Sequence, residues 1–154
     1  VIQAMRQLGT HAELAKKAVD AGWLDAVGEA LKEAPTDMHQ QAVGCANLAI
    51  YSGRNPTFRA RSVALGAADL ALDAVRMYPR MLSVTNWPKS FEAQYTVRED
   101  CVDLLAQLSL DVEGRRQLQE AQVINEMTVL LWTHPLNNRL QSSGSVLLQK
   151  LKST

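Results

Sequence analysis

The chain has 154 residues, and its sixteen basic and sixteen acidic side chains cancel, so no net field draws it toward nucleic acid or an anionic membrane. Hydrophobic residues make up 47% and aromatics only 5%, a composition led by alanine, leucine and valine that suits close helix packing and disfavours strands. The two cysteines, Cys45 and Cys101, match neither a disulfide framework nor a CxxC metal signature, which makes a reducing, cytoplasmic setting the expectation.

Ile2, Met5 and Leu8 are apolar at helical spacing and stop at Gly9. A second pattern runs from Ala12 to Gly22, and a third from Trp23 through Leu24, Val27 and Leu31 toward Pro35. Thr36 is placed to cap a longer helix from Met38 to Tyr51, broken by Ser52-Gly53-Arg54-Asn55-Pro56. Phe58 to Leu65 and Ala67 to Met77 follow as short helices. Residues 79–96 interrupt the regularity with Pro79, Pro88 and Trp87 among polar residues, and Thr96 to Glu99 has the form of a capping box opening a helix to Leu110. Val112 to Ala121, Val123 to Thr133 and Leu136 to Leu151 complete an all-α series without a strand pattern, and no apolar run reaches the roughly 20 residues of a membrane span. The start at Val1, with no signal-peptide pattern, reads as a piece of a longer protein from which a targeting segment would be missing.

Two registers repeat along this series. Closing leucines at Leu8, Leu48, Leu108 and Leu151 end similar helices, and turns at Gly22, Gly66 and Gln122 follow the first three of them. Val43-Gly44-Cys45-Ala46-Asn47-Leu48-Ala49 resembles the third helix of an armadillo repeat, and Val19-Asp20-Ala21-Gly22-Trp23-Leu24 resembles that family's turn between first and second helices. Armadillo and HEAT arrays repeat at about 40–47 residues. The resemblance implies a right-handed superhelical solenoid of about three armadillo-like three-helix repeats forming a single domain over 1–154. Residues 1–9 would supply the third helix of a preceding repeat, and the repeats would cover about 12–52, 56–110 with an insertion near 79–96, and 112–152. The chain departs from the family at Gln122, which replaces the turn glycine, and at Val43 and Asp103, where the groove tryptophan is absent.

The function that this resemblance implies is binding. Repeats that cannot enclose their own apolar faces stack and leave a long concave surface. On it the third helices would present an outward ladder of Gln7, Asn47, Gln107 and Lys150, whose carboxamides suit a peptide backbone. Tyr51, Asp100, Asp103 and Asp111 share that face by helical spacing, the three aspartates as an acidic patch for a basic or arginine-bearing segment. Trp87, with Tyr95, is placed either to anchor a partner from the insertion or to fold back over the array. The expected function is a non-catalytic protein–protein interaction scaffold or structural subunit of a larger multi-protein assembly. The alternative is an adaptor that holds an extended, possibly basic, peptide in the groove. No enzyme, cofactor or metal is expected: His11, His39 and His134 are scattered, no nucleophile elbow or phosphate loop is present, and the Arg54, Arg59, Arg61 cluster has too little aromatic support to make nucleic acid a favoured partner.

Overall fold

A computed structural model describes Gln7, residues 11–77 and residues 89–153, with the side chains of 89–96 excepted. The described residues form nine helices and no strand: α1 Ala12–Asp20, α2 Trp23–Glu33, α3 Met38–Arg54, α4 Pro56–Ala64, α5 Ala67–Met77, α6 Lys89–Leu108, α7 Val112–Glu120, α8 Val123–Thr133 and α9 Asn138–Lys152. None of them is long and apolar enough to cross a membrane.

The helices fall into three triplets with lengths of 9, 11 and 17, then 9, 11 and 20, then 9, 11 and 15 residues. The long third helices pack in series, α3 on α6 and α6 on α9. Within each triplet a two-residue turn joins the first two helices, and its second residue is left-handed: Gly22 (φ 87°), Gly66 (φ 79°) or Gln122 (φ 56°). The amide of each of these residues donates to a carbonyl three residues back, and the amide before it donates to one four residues back, which closes the helix end. A Cβ at such a φ is strained, so glycine suits the first two turns and Gln122 carries a cost in the third.

The first and third triplets correspond residue for residue at an offset of 100. Asp37 and Asn137 cap their third helices by accepting from Gln40 and Leu140 amides at 3.0 and 3.1 Å. Gln41 Nε2 donates to the Leu31 and Ala34 carbonyls, and Gln141 Nε2 donates to those of Leu131 and His134. Gly44 and Gly144 both lack a side chain because a Cβ would press on Leu31 Cγ at 2.8 Å and on Leu131 Cδ2 at 2.6 Å. The second triplet begins 44 residues after the first, and the caps Asn55 and Asp111 that follow the first two third helices are 56 apart. Of the twelve extra residues, seven lie between α5 and α6, three in the longer α6 and two between α6 and α7.

Several local expectations change. Asp37, not Thr36, caps α3, because its carboxylate reaches the Gln40 amide. Helix α6 starts at Lys89, so the box-like Thr96–Glu99 lies inside a helix. The closing-leucine register also slips. The caps pair Leu48 with Leu104 and Leu148, one turn before Leu108 and Leu151. Apolar residues three or four apart share a helix face, so a leucine pattern alone does not distinguish these registers.

The largest correction concerns the cysteines. Cys45 and Cys101, both fully buried, are joined in a disulfide across α3 and α6 with a Cα–Cα distance of 4.9 Å. They are 56 residues apart, the same separation as the caps Asn55 and Asp111, so they are equivalent positions on successive third helices. Disulfides form and persist in oxidising surroundings. The bond therefore overturns the expectation of a reducing cytoplasm and points to an oxidising compartment.

Candidate interaction surface

The ladder expected from the sequence is not an outward row of carboxamides. Asn47 is fully buried, and its Nδ2 donates to the Val43 carbonyl at 2.8 Å. Tyr51 is also fully buried, with its ring 6.5 Å from that of Phe58, and burial raises its phenol above the usual range. Asn47 lies on the side of α3 that meets α2, where Gly44, one turn earlier, has no Cβ to hold Leu31 away. Gln107 is half-buried and its amide lies over Gly53 of α3. Lys150 is half-buried and, by the cap register, corresponds to Ile50, while Leu147 takes the place of Asn47. Gln7 is helical and exposed. Trp87 and the Tyr95 side chain lie outside the described residues.

The three aspartates separate into two roles. Asp111 caps α7, accepting from the Glu113 and Gly114 amides at 2.9 and 3.0 Å. Asp100 and Asp103 on α6 face Arg139 of α9, together with Glu99. The guanidinium is 2.5 Å from Asp103 Oδ2 and 3.3 Å from Glu99, and it also binds Asp100, whose side chain is only 4% exposed. Asn137 Nδ2 donates to Glu99 at 2.8 Å, and Ser143 Oγ donates to Asp103. Burial alone would lower the Arg139 pKa, but Asp100 and Asp103 outweigh it and hold it above the ordinary arginine value. The arginine on this acidic cluster is the chain's own, and its role here is to join α6 to α9.

The histidines are similarly placed. His134 is buried beside the Leu130 carbonyl at 3.0 Å, and its Nε2 lies 3.4 Å from a guanidinium nitrogen of buried Arg98. His11 precedes α1 without a side-chain capping bond, and His39 lies on α3. Among the described residues no three His, Cys, Asp or Glu side chains converge in a way that would hold a metal ion. Of the basic cluster, Arg61 pairs with Asp25 of α2. It ties the first triplet to the second across their outer helices.

Comparison with known proteins gives no relative: no family model, no curated protein and no solved structure matches the chain. The surface is therefore read from its own residues.

Beside Val112 at 80%, the most exposed large apolar side chains among the described residues are Trp132 at 81%, near the end of α8, and Leu136 at 93%, in the turn to α9. Sequence reasoning passed over both, although the repeat carries the signal. Trp132 occupies the position held by Lys32 in the first triplet and Arg76 in the second, both charged and exposed. Leu136 stands where the first triplet has Thr36. Apolar residues at positions otherwise polar are the mark of a contact surface, and tryptophan is enriched at the centres of protein interfaces.

Proposed function

We propose that this chain is a non-catalytic interaction scaffold, an armadillo-like array of three helix triplets serving as a subunit of a larger assembly outside the reducing cytosol. The observation that carries this reading is the exposure of two large apolar side chains, Trp132 and Leu136, on a series of third helices packed one on the next. The disulfide and the Arg139 cluster fasten successive third helices, so the stack presents its surfaces in fixed relation. The same geometry supports a peptide-holding groove less well, because Asn47 is buried and Asp100 and Asp103 are already engaged.

The test is co-purification from the source cells under non-reducing conditions, with three forms of the chain compared by quantitative mass spectrometry. Trp132→Ser/Leu136→Ser is expected to lose a defined set of associated proteins that wild type and Asp103→Asn/Gln107→Ala both retain. The opposite pattern would favour the peptide adaptor. Absence of any specific associate with the wild-type chain would sink the assembly role.

A further inference from the structure

In the first triplet, α2 and α3 frame a half-open groove of about 190 Å³ whose lining is almost wholly hydrocarbon. Among the described residues it is lined chiefly by Trp23, Ala26, Val27, Ala30 and Leu31 of α2 and by Gly44 of α3. Ala26 is exposed, and Trp23 and Ala30 are half-buried, so an apolar strip of α2 faces outward.

The chain's own junctions show what meets this strip. Counted from the helix starts at Trp23, Ala67 and Val123, residues 32, 76 and 132 are equivalent, and so are residues 26, 70 and 126. Between the second and third triplets, Arg76 reaches forward to Glu126 with bonds of 2.9 and 2.7 Å, and it also donates to the Ala121 carbonyl at 3.4 Å. The place held by Trp132 therefore points at the place held by Ala26 in a following triplet. Between the first and second triplets that pair is Lys32 and Leu70, and Lys32, facing no carboxylate there, bonds Glu29 of its own helix. On the two outward faces both members of the pair change together. The third triplet offers the exposed indole of Trp132 in place of the guanidinium, and the first offers Ala26 beside an apolar groove in place of the carboxylate. Each leaves hydrocarbon in water that the other could cover.

We infer that copies of this chain associate head to tail, Trp132 of one copy seating over Ala26 in the α2 groove of the next, as Arg76 seats on Glu126 within the chain. The inference rests on the reading of Trp132 as a contact residue and names its partner as a second copy. Apolar cavities of about 150 Å³ admit benzene, so a groove of this size takes an indole. Ala26 has no side chain beyond Cβ to hold the ring away. The two surfaces differ, so the contact is heterologous: each added copy brings a further groove and a further indole, and growth continues past a dimer.

Sedimentation velocity of the purified, oxidised chain over a concentration series is the test. Wild type is expected to grow past a dimer as concentration rises. Trp132→Ser and Ala26→Glu each spoil one face at an exposed position, and each should weaken association about thirtyfold, the scale of an interface hot spot. Mixed in equal amounts, the two variants should form a dimer at wild-type affinity that grows no further, because the intact indole of one meets the intact groove of the other. Circular dichroism checks that both variants stay helical. A wild-type chain that remains monomeric at its highest soluble concentration overturns the inference, and leaves the co-purification test of the assembly role standing. Association that resists Ala26→Glu would mean that Trp132 meets some other surface. A mixture no better than either variant alone would mean that the contact is not head to tail. Either result overturns the inference.

Discussion

The two junctions between third helices join similar backbones by opposite chemistry. Between α3 and α6, small residues such as Ala42 and Ala49 bring the helices close and Cys45–Cys101 bonds them covalently. Between α6 and α9, Arg139 meets Glu99, Asp100 and Asp103, Ser143 adds to the cluster, and Arg98 lies against His134. The first junction depends on oxidation and is indifferent to salt. The second is indifferent to reductant and weakened by salt, because Arg139 is 40% exposed and its pairing is partly screened. One stack therefore answers to two separate solution variables, one at each joint.

The largest effect expected is at the covalent joint. Closing a loop of this length by a disulfide is worth about 4 kcal/mol in the chain-entropy model, so Cys45→Ala/Cys101→Ala should lose about that much in urea unfolding. Dithiothreitol should lower the wild-type midpoint and leave the variant unmoved; an unchanged wild-type midpoint would remove the contrast between the joints. Arg139→Met tests the ionic joint by leaving the carboxylates without their shared cation. A fully buried pair would cost about 3–5 kcal/mol to break, and partial exposure of the guanidinium reduces the expected loss to about 2 kcal/mol. That difference should shrink in roughly 1 M salt, with hydrogen exchange rising in α9 before α3.

Gln122→Gly sharpens the comparison from the other side, by relieving the one left-handed non-glycine residue among those described. A gain of about 1 kcal/mol is expected, read as a raised urea midpoint, and Gly22→Ala should show the opposite sign. The smallest effect belongs to α7, where Arg116 bonds both Glu113 and Glu120. The hydrogen bond from Arg116 depresses the Glu113 carboxyl below its ordinary value. Its stabilisation is then present above about pH 4.3, the unperturbed glutamate value, and is lost as pH falls through the depressed pKa. Wild type should exceed Glu113→Gln slightly at neutral pH, with the gap closing in acid and neither joint affected. A gap that widens in acid would show the wrong sign.

The helices and the turns at Gly22, Gly66 and Gln122 were legible because apolar spacing, breakers and left-handed turns are local chemistry. The register of the third helices was less so, since Leu104 and Leu108 occupy the same face and an apolar pattern satisfies either. That one-turn ambiguity hid the disulfide. Aligning Cys45 with Leu105 separates the cysteines, whereas counting back ten residues from the caps Asn55 and Asp111 places them in the same position. Asn47 illustrates a different limit. Its helix position is evident from sequence, but whether that face meets water depends on how closely α2 packs over it, which Gly44 permits by leaving room for Leu31. Trp132 was visible as an apolar residue in a charged column, and is recognised only once the triplets are in register.

The disulfide also sets how the chain bears load. If the two ends of the stack are pulled apart, force entering α3 passes directly through Cys45 and Cys101 into α6, bypassing the 56 residues of sequence separation between them. At about 3.4 Å per extended residue, some 190 Å of chain stays unextended until the bond is reduced. In a single-molecule trace the oxidised protein would behave as a short tether, and the reduced one as a long one.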